Sequence, residues 1–537
     1  MGDFSPPGVM NLGRLLSDTA RRLPERPALI WGERVWSWRA LDERVNALVA
    51  GLKARGLGKG DAVLVQSRNN NQLFESLWAC FKLGAVWVPT NFRLTPPEVA
   101  YQAKTSHAKA MIYEDRFAEH AAAARAAEPG LRESIVIGEA GVIGEAGDGE
   151  AAYEEIVAAG AGAPAWEAEV GYGDPCWYFY TSGTTGRPKA AVLTHGQLAF
   201  VVNNHLADLM PGTGSQDASL VVAPLSHGAG AHALSQVARG ARSVLPEGQG
   251  LDPEEAWRLV EEHQITNMFT VPVILTRLVR DAAVERYDHS SLRYVIYAGA
   301  PMYREDQKLA LRRLGKVIVQ YYGLGEVTGN ITVLPPGLHS EDDARMPLGS
   351  CGYARTGMEI AIKDPDGRRL EAGEQGEICV RGPAVFSGYL DNPEANAKAL
   401  RDGWFHTGDL GRLDDEGFLF ITGRASDMYI SGGANVYPRE VEEILLTHPA
   451  VVEAAVLGVP DPQWGESGVA VVVPAEGGAA SEAELLGCLD GQLAKYKWPR
   501  RVFFWPELPK SGYGKVPKHL VREQLYARGE LREGEGP

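Results

Sequence analysis

Residues 61–89 read DAVLVQSRNNNQLFESLWACFKLGAVWVP. DAVLVQS (61–67) is a short apolar run of strand type, NQLFESLWACFKLG (71–84) has the spacing of a helix, and AVWVP (85–89) returns to strand. The same alternation extends in both directions. Upstream, Leu41, Val45, Leu48, Val49 and Leu52 recur at helical spacing after Trp38, with Gly56 placed to end that helix. Downstream, SLVVAPL (219–225), PEEAWRLVEEH (253–263), TNMFT (266–270) and RYVIYAG (293–299) repeat strand, helix, strand and strand. Strands alternating with helices predict a layered α/β architecture with largely parallel sheets.

Between Gly349 and Gly423 the apolar runs shorten, as in MEIAIK and GEICVRG, which predicts a small β-rich subdomain. After Arg424 the glycine-containing stretch ASDMYISGGANVYP separates this body from a tail with its own helix–strand–strand–helix–strand pattern, long enough for a small α+β core. The expected division is therefore residues 1–425 and 426–537. Residues 119–164 are rich in Ala, Gly and Glu and carry the tandem hexapeptide VIGEAG-VIGEAG (136–147), expected to be a strand edge running into a surface loop. Two copies of so short a unit do not make a repeat fold.

The 537 residues carry 53 Lys+Arg against 69 Asp+Glu, a formal charge of −16, with 45% hydrophobic residues. That balance fits a globular protein of at least two domains and argues against non-specific nucleic-acid binding. The five cysteines are scattered without a close pair, which fits a reducing cytoplasm better than a disulfide framework or a cysteine metal site. The N-terminus MGDFSPPGVM lacks the basic head and apolar run of a secretory signal, and Pro6 stands where a myristoylation signal needs Ser or Thr. No apolar stretch approaches a membrane span. A cytoplasmic location is expected.

The segment with most chemistry in it is YTSGTTGRPK (180–189). Small, hydroxyl-bearing and glycine residues let successive backbone N–H groups converge on one concavity, and Lys189 adds a positive charge, as a phosphate cradle requires. The nucleotide-binding pattern G-x-x-x-x-G-K-[ST] does not fit, because no Gly-Lys-Ser/Thr follows Gly186. Composition alone equally describes a Ser/Thr/Gly surface loop. Four further segments follow in order: YAGAP (297–301), QYYGLGEVTG (320–329) with Glu326, GWFHTGDL (403–410) with Asp409 and ITGRASDM (421–428) with Arg424. LPKSGYGKVPKHL (508–520), with Lys515 between a turn and an amphipathic helix, completes the series.

As an ordered set, with FKLGAVWVPTNFRL (81–94) and GEICVRGPAVFSGYL (376–390), these motifs resemble the adenylate-forming acyl-CoA synthetase superfamily. The resemblance runs from about Asn11 to about Arg528. It implies a large three-subdomain α/β body with a small mobile C-terminal domain, and an acid–CoA ligase that uses ATP, Mg²⁺ and coenzyme A. By resemblance, Thr181, Ser182, Gly183, Thr184, Thr185 and Gly186 with Lys189 hold the β- and γ-phosphates, and Glu326 with Thr181 binds Mg²⁺. Gly299, Ala300 and Pro301 lie along the adenine, with Tyr322 stacked on it and Gly323 beside it. Asp409 accepts the ribose hydroxyls and Arg424 contacts the same sugar. Lys515 bridges the acyl carboxylate and α-phosphate, and His227, with Gly228 and Ala229, lies at the acyl site. Gly432 and Gly433 line a thiol tunnel, Arg93 meets the 3′-phosphate of CoA, and Ser426 marks the hinge.

Four positions depart from the family pattern. Gly325 replaces a threonine expected to contact the α-phosphate, Ser511 and Tyr513 replace a threonine and a small residue, and Ser426 stands where Asp or Lys is usual. Free CoA is the expected acceptor, since the chain ends about 22 residues after Lys515 and no carrier domain follows. A stand-alone enzyme loading a separate carrier protein and an inactive nucleotide-binding module are the alternatives; a homodimer is allowed. The small residues Gly228, Ala229, Gly230 and Ala231 read either as a roomy pocket for an aromatic or medium-chain acid or as a close helix contact.

Overall fold

The computed structural model describes residues 9–138, 150–181, 187–248, 250–300, 302–345, 349–431, 433–475, 477–478, 480–510 and 516–532. Two sheets form its body. In the first, the order is Ala151–Ala152, Glu133–Ile137, Ala110–Glu114, Ala62–Gln66, Val86–Pro89, Pro175–Thr181 and Lys189–Thr194. In the second it is Ile318–Gln320, Tyr294–Tyr297, Asn267–Thr270, Ala218–Leu220, Arg242–Leu245, Pro27–Trp31 and Arg34–Ser37. Each is parallel throughout except for one antiparallel hairpin at an edge.

Parallel strands covered on both faces are apolar at every position, and here successive residues serve different layers. Val63, Val65, Leu29 and Ile296 face one shared core with the helices Trp38–Ala54, Asn71–Leu83, His195–Asn204 and Gly228–Arg239. Ala62 and Leu64 face the helices Pro96–Thr105 and Ala118–Ala127, while Ile30 and Val295 face Pro253–Glu262, Pro272–Arg280 and Arg304–Leu314. The result is five layers, helices alternating with sheets.

The central helix Asn71–Leu83 is buried at every residue. Asn70 caps it by accepting from Leu73 N–H at 2.7 Å. Its two charged side chains survive burial only because each is paired: Glu75 accepts from Arg44 at 2.7 Å, and Lys82 donates to Asp42 at 2.5 Å.

The β-rich subdomain is antiparallel, in the order Thr332–Val333, Ser350–Ala354, Phe418–Arg424, Trp404–Leu413, Gly376–Arg381 and Glu359–Lys363. Beyond it, Tyr429–Ser431, Ala434–Val436, Val451–Asp461, Gly465–Pro474 and Arg501–Phe504 make a separate sheet, with Pro438–Leu445 and Lys518–Ala527 packed on it. Two expectations need correction. SLVVAPL is strand only over Ala218–Leu220. Although Val136 and Ile137 of the hexapeptide do end the strand Glu133–Ile137, the alanine-rich sequence to either side forms the helices Ala118–Ala127 and Tyr153–Ala159 rather than loop. Most of the tandem hexapeptide lies outside the described residues.

Candidate active site

The loops after the parallel strands of both sheets open into one cleft of about 2690 Å³. Carboxyl ends of parallel strands are where open α/β sheets bind ligands, and this volume exceeds that of an ordinary single-ligand site. The β-rich subdomain and the last described segments complete its walls.

At one end, Asp409 and Arg424 are directly opposed on neighbouring antiparallel strands. Arg424 Nε donates to Asp409 Oδ1 at 3.0 Å and Tyr322 OH donates to Oδ2 at 2.7 Å. Burial, with the Asp409 charge behind it, holds the Tyr322 phenol far above its usual range, and the same carboxylate raises Arg424. The turn before Asp409 is fixed in place: Asp409 N–H donates to Thr407 Oγ1, whose hydroxyl donates to the Ile378 carbonyl. Glu377 Oε1 accepts from Gly408 N–H at 3.1 Å, and Oε2 lies 2.8 Å from His406 Nδ1. Cys379 Sγ lies 3.3 Å from that same nitrogen and Arg401 Nη2 2.8 Å from it, so a guanidinium already faces this Glu–Cys–His group. Burial pushes the Cys379 thiol up to about 12.

In the middle of the cleft, Thr181 ends one strand and Lys189 begins its antiparallel partner, directly opposite. Thr181 Oγ1 and Tyr389 OH each donate to Glu326 Oε1 at 2.9 Å. Lys189 Nζ lies 5.0 Å from the centre of the Tyr389 ring. Burial and the Glu326 charge drive the Tyr389 phenol well upward, so it remains a donor at any working pH. Two oxygens of hard, oxygen-ligand type, one of them anionic and 5% exposed, suit a magnesium ion.

Trp177, Phe179, His227, Gly228, Ala231, Phe269 and Tyr321 line an aromatic-rich recess of the same cleft. Phe179 meets His227 edge-on at 5.5 Å and Phe269 stacks with Tyr321 at 6.1 Å between centroids. His227 Nδ1 lies 2.9 Å from Ser226 Oγ. The small residues after His227 do both things expected of them. Gly228 and Ala231 line the recess, but a Cβ at Gly228 would stand 2.5 Å from Phe269 Cζ and one at Gly230 2.1 Å from the Leu225 carbonyl oxygen, so both glycines also serve close packing. Ala229 lies behind Phe269 beside Leu220 and His232, away from the recess.

Residues 16–390 match the family model described as AMP-binding enzyme, and residues 440–515 match that of the AMP-binding enzyme C-terminal domain. The chain belongs to the AMP-binding enzyme family. It is similar to a feruloyl-CoA synthase of Amycolatopsis sp, 38% identical over 94% of this chain and 97% of that one. An indoleacetate–CoA ligase of Aromatoleum aromaticum is 34% identical over 98% and 100% of the two chains. Among solved structures, the anthranilate CoA ligase AuaEII in complex with anthranoyl-AMP superposes with a TM-score of 0.88 at 25% identity, over 99% and 100% of the chains. The protein is an AMP-forming acid–thiol ligase.

Within this AMP-binding enzyme, Thr181, Lys189, Gly299, Ala300, Tyr322, Gly323, Glu326, Asp409, Arg424 and Ser426 all line the one cleft, as do His227, Gly228 and Arg93. Ser182–Gly186, Pro301, Gly432 and Lys515 lie outside the described residues. Lys510 and Val516, on either side of the undescribed 511–515, both line the cleft. Gly433 is not among its described lining residues and has open space on its Cβ side. Sequence reasoning missed Tyr389 and the aromatic wall. Tyr389 sits inside the quoted GEICVRGPAVFSGYL, and the alternating aromatics of CWYFYT (176–181) would have revealed the wall. Among the described residues no helix is long and apolar enough to cross a membrane.

Proposed function

We propose that the protein activates an aromatic monocarboxylic acid as its acyl-adenylate and transfers the acyl group to free CoA. The observation that carries the substrate class is the recess walled by Trp177, Phe179, Phe269 and Tyr321 in front of His227, adjoining the Thr181–Glu326 pair. Rings meeting edge-on and stacked favour a flat apolar guest. The aromatic acids in the names of the feruloyl, indoleacetate and anthranilate enzymes support the same reading.

A carboxylate cannot expel oxide, so its oxygen must first attack the α-phosphate of ATP, breaking the bond to the β-phosphate and releasing pyrophosphate. The CoA thiol, losing its proton, then displaces AMP from the mixed anhydride to give the thioester. In the first step the approaching groups are both anions, and unit charges at 4 Å repel by about 4 kcal/mol at an effective dielectric of about 20. Thr181, the loop 182–186 and Lys189 hold the phosphates. Thr181 and Glu326 would hold Mg²⁺, which offsets negative charge at the transferring centre. Asp409 and Arg424 fix the ribose, while Tyr322, Gly299, Ala300, Pro301 and Gly323 hold the adenine.

Lys515 supplies an ammonium between the acyl carboxylate and the α-phosphate, a reading supported by the flanking Lys510 and Val516 on the cleft wall. His227 faces the reacting carboxylate. In the second step the small domain, residues 426–537, turns about Ser426 and brings Gly432 and Gly433 to the thiol path, with Arg93 toward the CoA 3′-phosphate.

The test is a panel of acetate, malonate, octanoate, benzoate and cinnamate with ATP, Mg²⁺ and CoA. Acid-dependent pyrophosphate release and thioester formation should be greatest with the aryl acids. Preference for acetate or malonate would remove the substrate class, and adenylate formation without turnover on CoA would favour a carrier-protein acceptor.

A further inference from the structure

Gly325, the position where the family resemblance calls for threonine, has no space for a side chain. A Cβ there would stand 2.6 Å from Phe179 Cδ1 and 2.8 Å from Thr181 Cγ2. The ring of Phe179 occupies that volume. Along Pro175–Thr181, Trp177, Phe179 and Thr181 project to the cleft face by strand alternation, and all three line it. Phe179 is half-buried, 5.8 Å from Trp177 and edge-on to His227 at 5.5 Å between centroids. Its ring thus touches both sides of the reacting centre: the Thr181–Glu326 pair through Gly325, and the acyl recess through His227.

We infer that Phe179 is a specificity-determining residue and that Gly325 is glycine to make room for it. If the acid's carboxylate lies between His227 and the Thr181–Glu326 pair, as in the proposed activity on which this rests, the next atom of the acid meets the Phe179 ring. A flat acid with a trigonal α-carbon slides along that ring. An acid branched at a tetrahedral α-carbon collides with it.

The experiment compares cinnamate with 2-phenylpropanoate in acid-dependent pyrophosphate release by the full chain and its Phe179→Ala, Gly325→Thr and doubly substituted variants. The wild type should prefer cinnamate, and Phe179→Ala should narrow that preference about tenfold or more with the KM for ATP unchanged. Gly325→Thr should lose about 10- to 100-fold through overpacking, and in the Phe179→Ala background that loss should be smaller, with the contact to Thr181 remaining. An unchanged acid preference in Phe179→Ala, or a Gly325→Thr loss of the same size in both backgrounds, overturns the inference. If Gly325→Thr fails to fold by thermal melting, the acid preference of Phe179→Ala decides. A wild type active on octanoate but on neither aryl acid keeps the ligase reading and overturns this one. No pyrophosphate with any acid removes both.

Discussion

Tyr322 and Asp409, 87 positions apart in the chain, share a hydrogen bond of 2.7 Å on the cleft wall, with Arg424 on the other carboxylate oxygen. An ionised carboxylate can accept about four hydrogen bonds, so both protein donors leave room for sugar hydroxyls. Removing the phenol in Tyr322→Phe should weaken AMP binding about tenfold or more, the value of a hydrogen bond to a charged group. Asp409→Asn should cost more, because it also leaves Arg424 without its counter-charge. Calorimetric titration with AMP measures both, and equal affinity in all three proteins would remove Asp409 from the nucleotide site.

Glu326 Oε1 already accepts from Thr181 and Tyr389, so Glu326→Gln keeps a similar shape while deleting the charge. The Mg²⁺ concentration for half-maximal pyrophosphate release should rise about tenfold or more, as expected for loss of an anionic oxygen ligand. Tyr389→Phe should leave that concentration nearly unchanged. A magnesium titration of each variant decides, and an unaltered curve for Glu326→Gln would place the metal elsewhere.

Lys515 and Gly433 should separate the two half-reactions. Lys515→Ala should depress adenylation far more than thioesterification of supplied acyl-adenylate, and Gly433→Leu should do the reverse. Single-turnover assays of each half-reaction give the comparison; equal losses in both steps for Lys515→Ala would contradict its role.

Burial holds His195, His232 and His339 at about 4, well below the usual imidazole value near 6.5. Because the unfolded chain binds protons between those values and the folded chain does not, stability is full above about pH 6.5 and falls as pH drops toward 4. Each ring should cost about 2 kcal/mol at pH 5. Thermal melting at pH 7.5 and pH 5 should show a lower midpoint in acid, and His232→Gln should narrow the difference. A variant that loses as much as the wild type would contradict a neutral buried His232.

The parallel body was legible in sequence because its strands are short apolar runs between helices, as at 61–89. Which strands would adjoin was not. Pro27–Trp31 pairs with Arg242–Leu245 across more than two hundred residues, a choice made by packing rather than by local pattern. The polar residues Thr181, Lys189, Glu326, Asp409 and Arg424, singled out by the family resemblance, come together on the lining of one cleft. The aromatic recess left only the alternating aromatics of CWYFYT as a local signal, and the contact of Phe179 with Gly325 joins segments far apart in the chain. Residues 119–164 misled through composition: alanine builds helices as readily as it fills loops.

The placement of the hairpin Pro27–Trp31 and Arg34–Ser37 in a sheet otherwise made from residues 218–320 has a consequence for biosynthesis. Domains emerge from the ribosome N-terminus first, yet Pro27–Trp31 has only its hairpin neighbour until some two hundred further residues have been translated. The first sheet, ending at Thr194, can assemble earlier. A nascent chain stalled before Arg242 should therefore expose an unpaired strand edge, the feature that invites chaperones or aggregation.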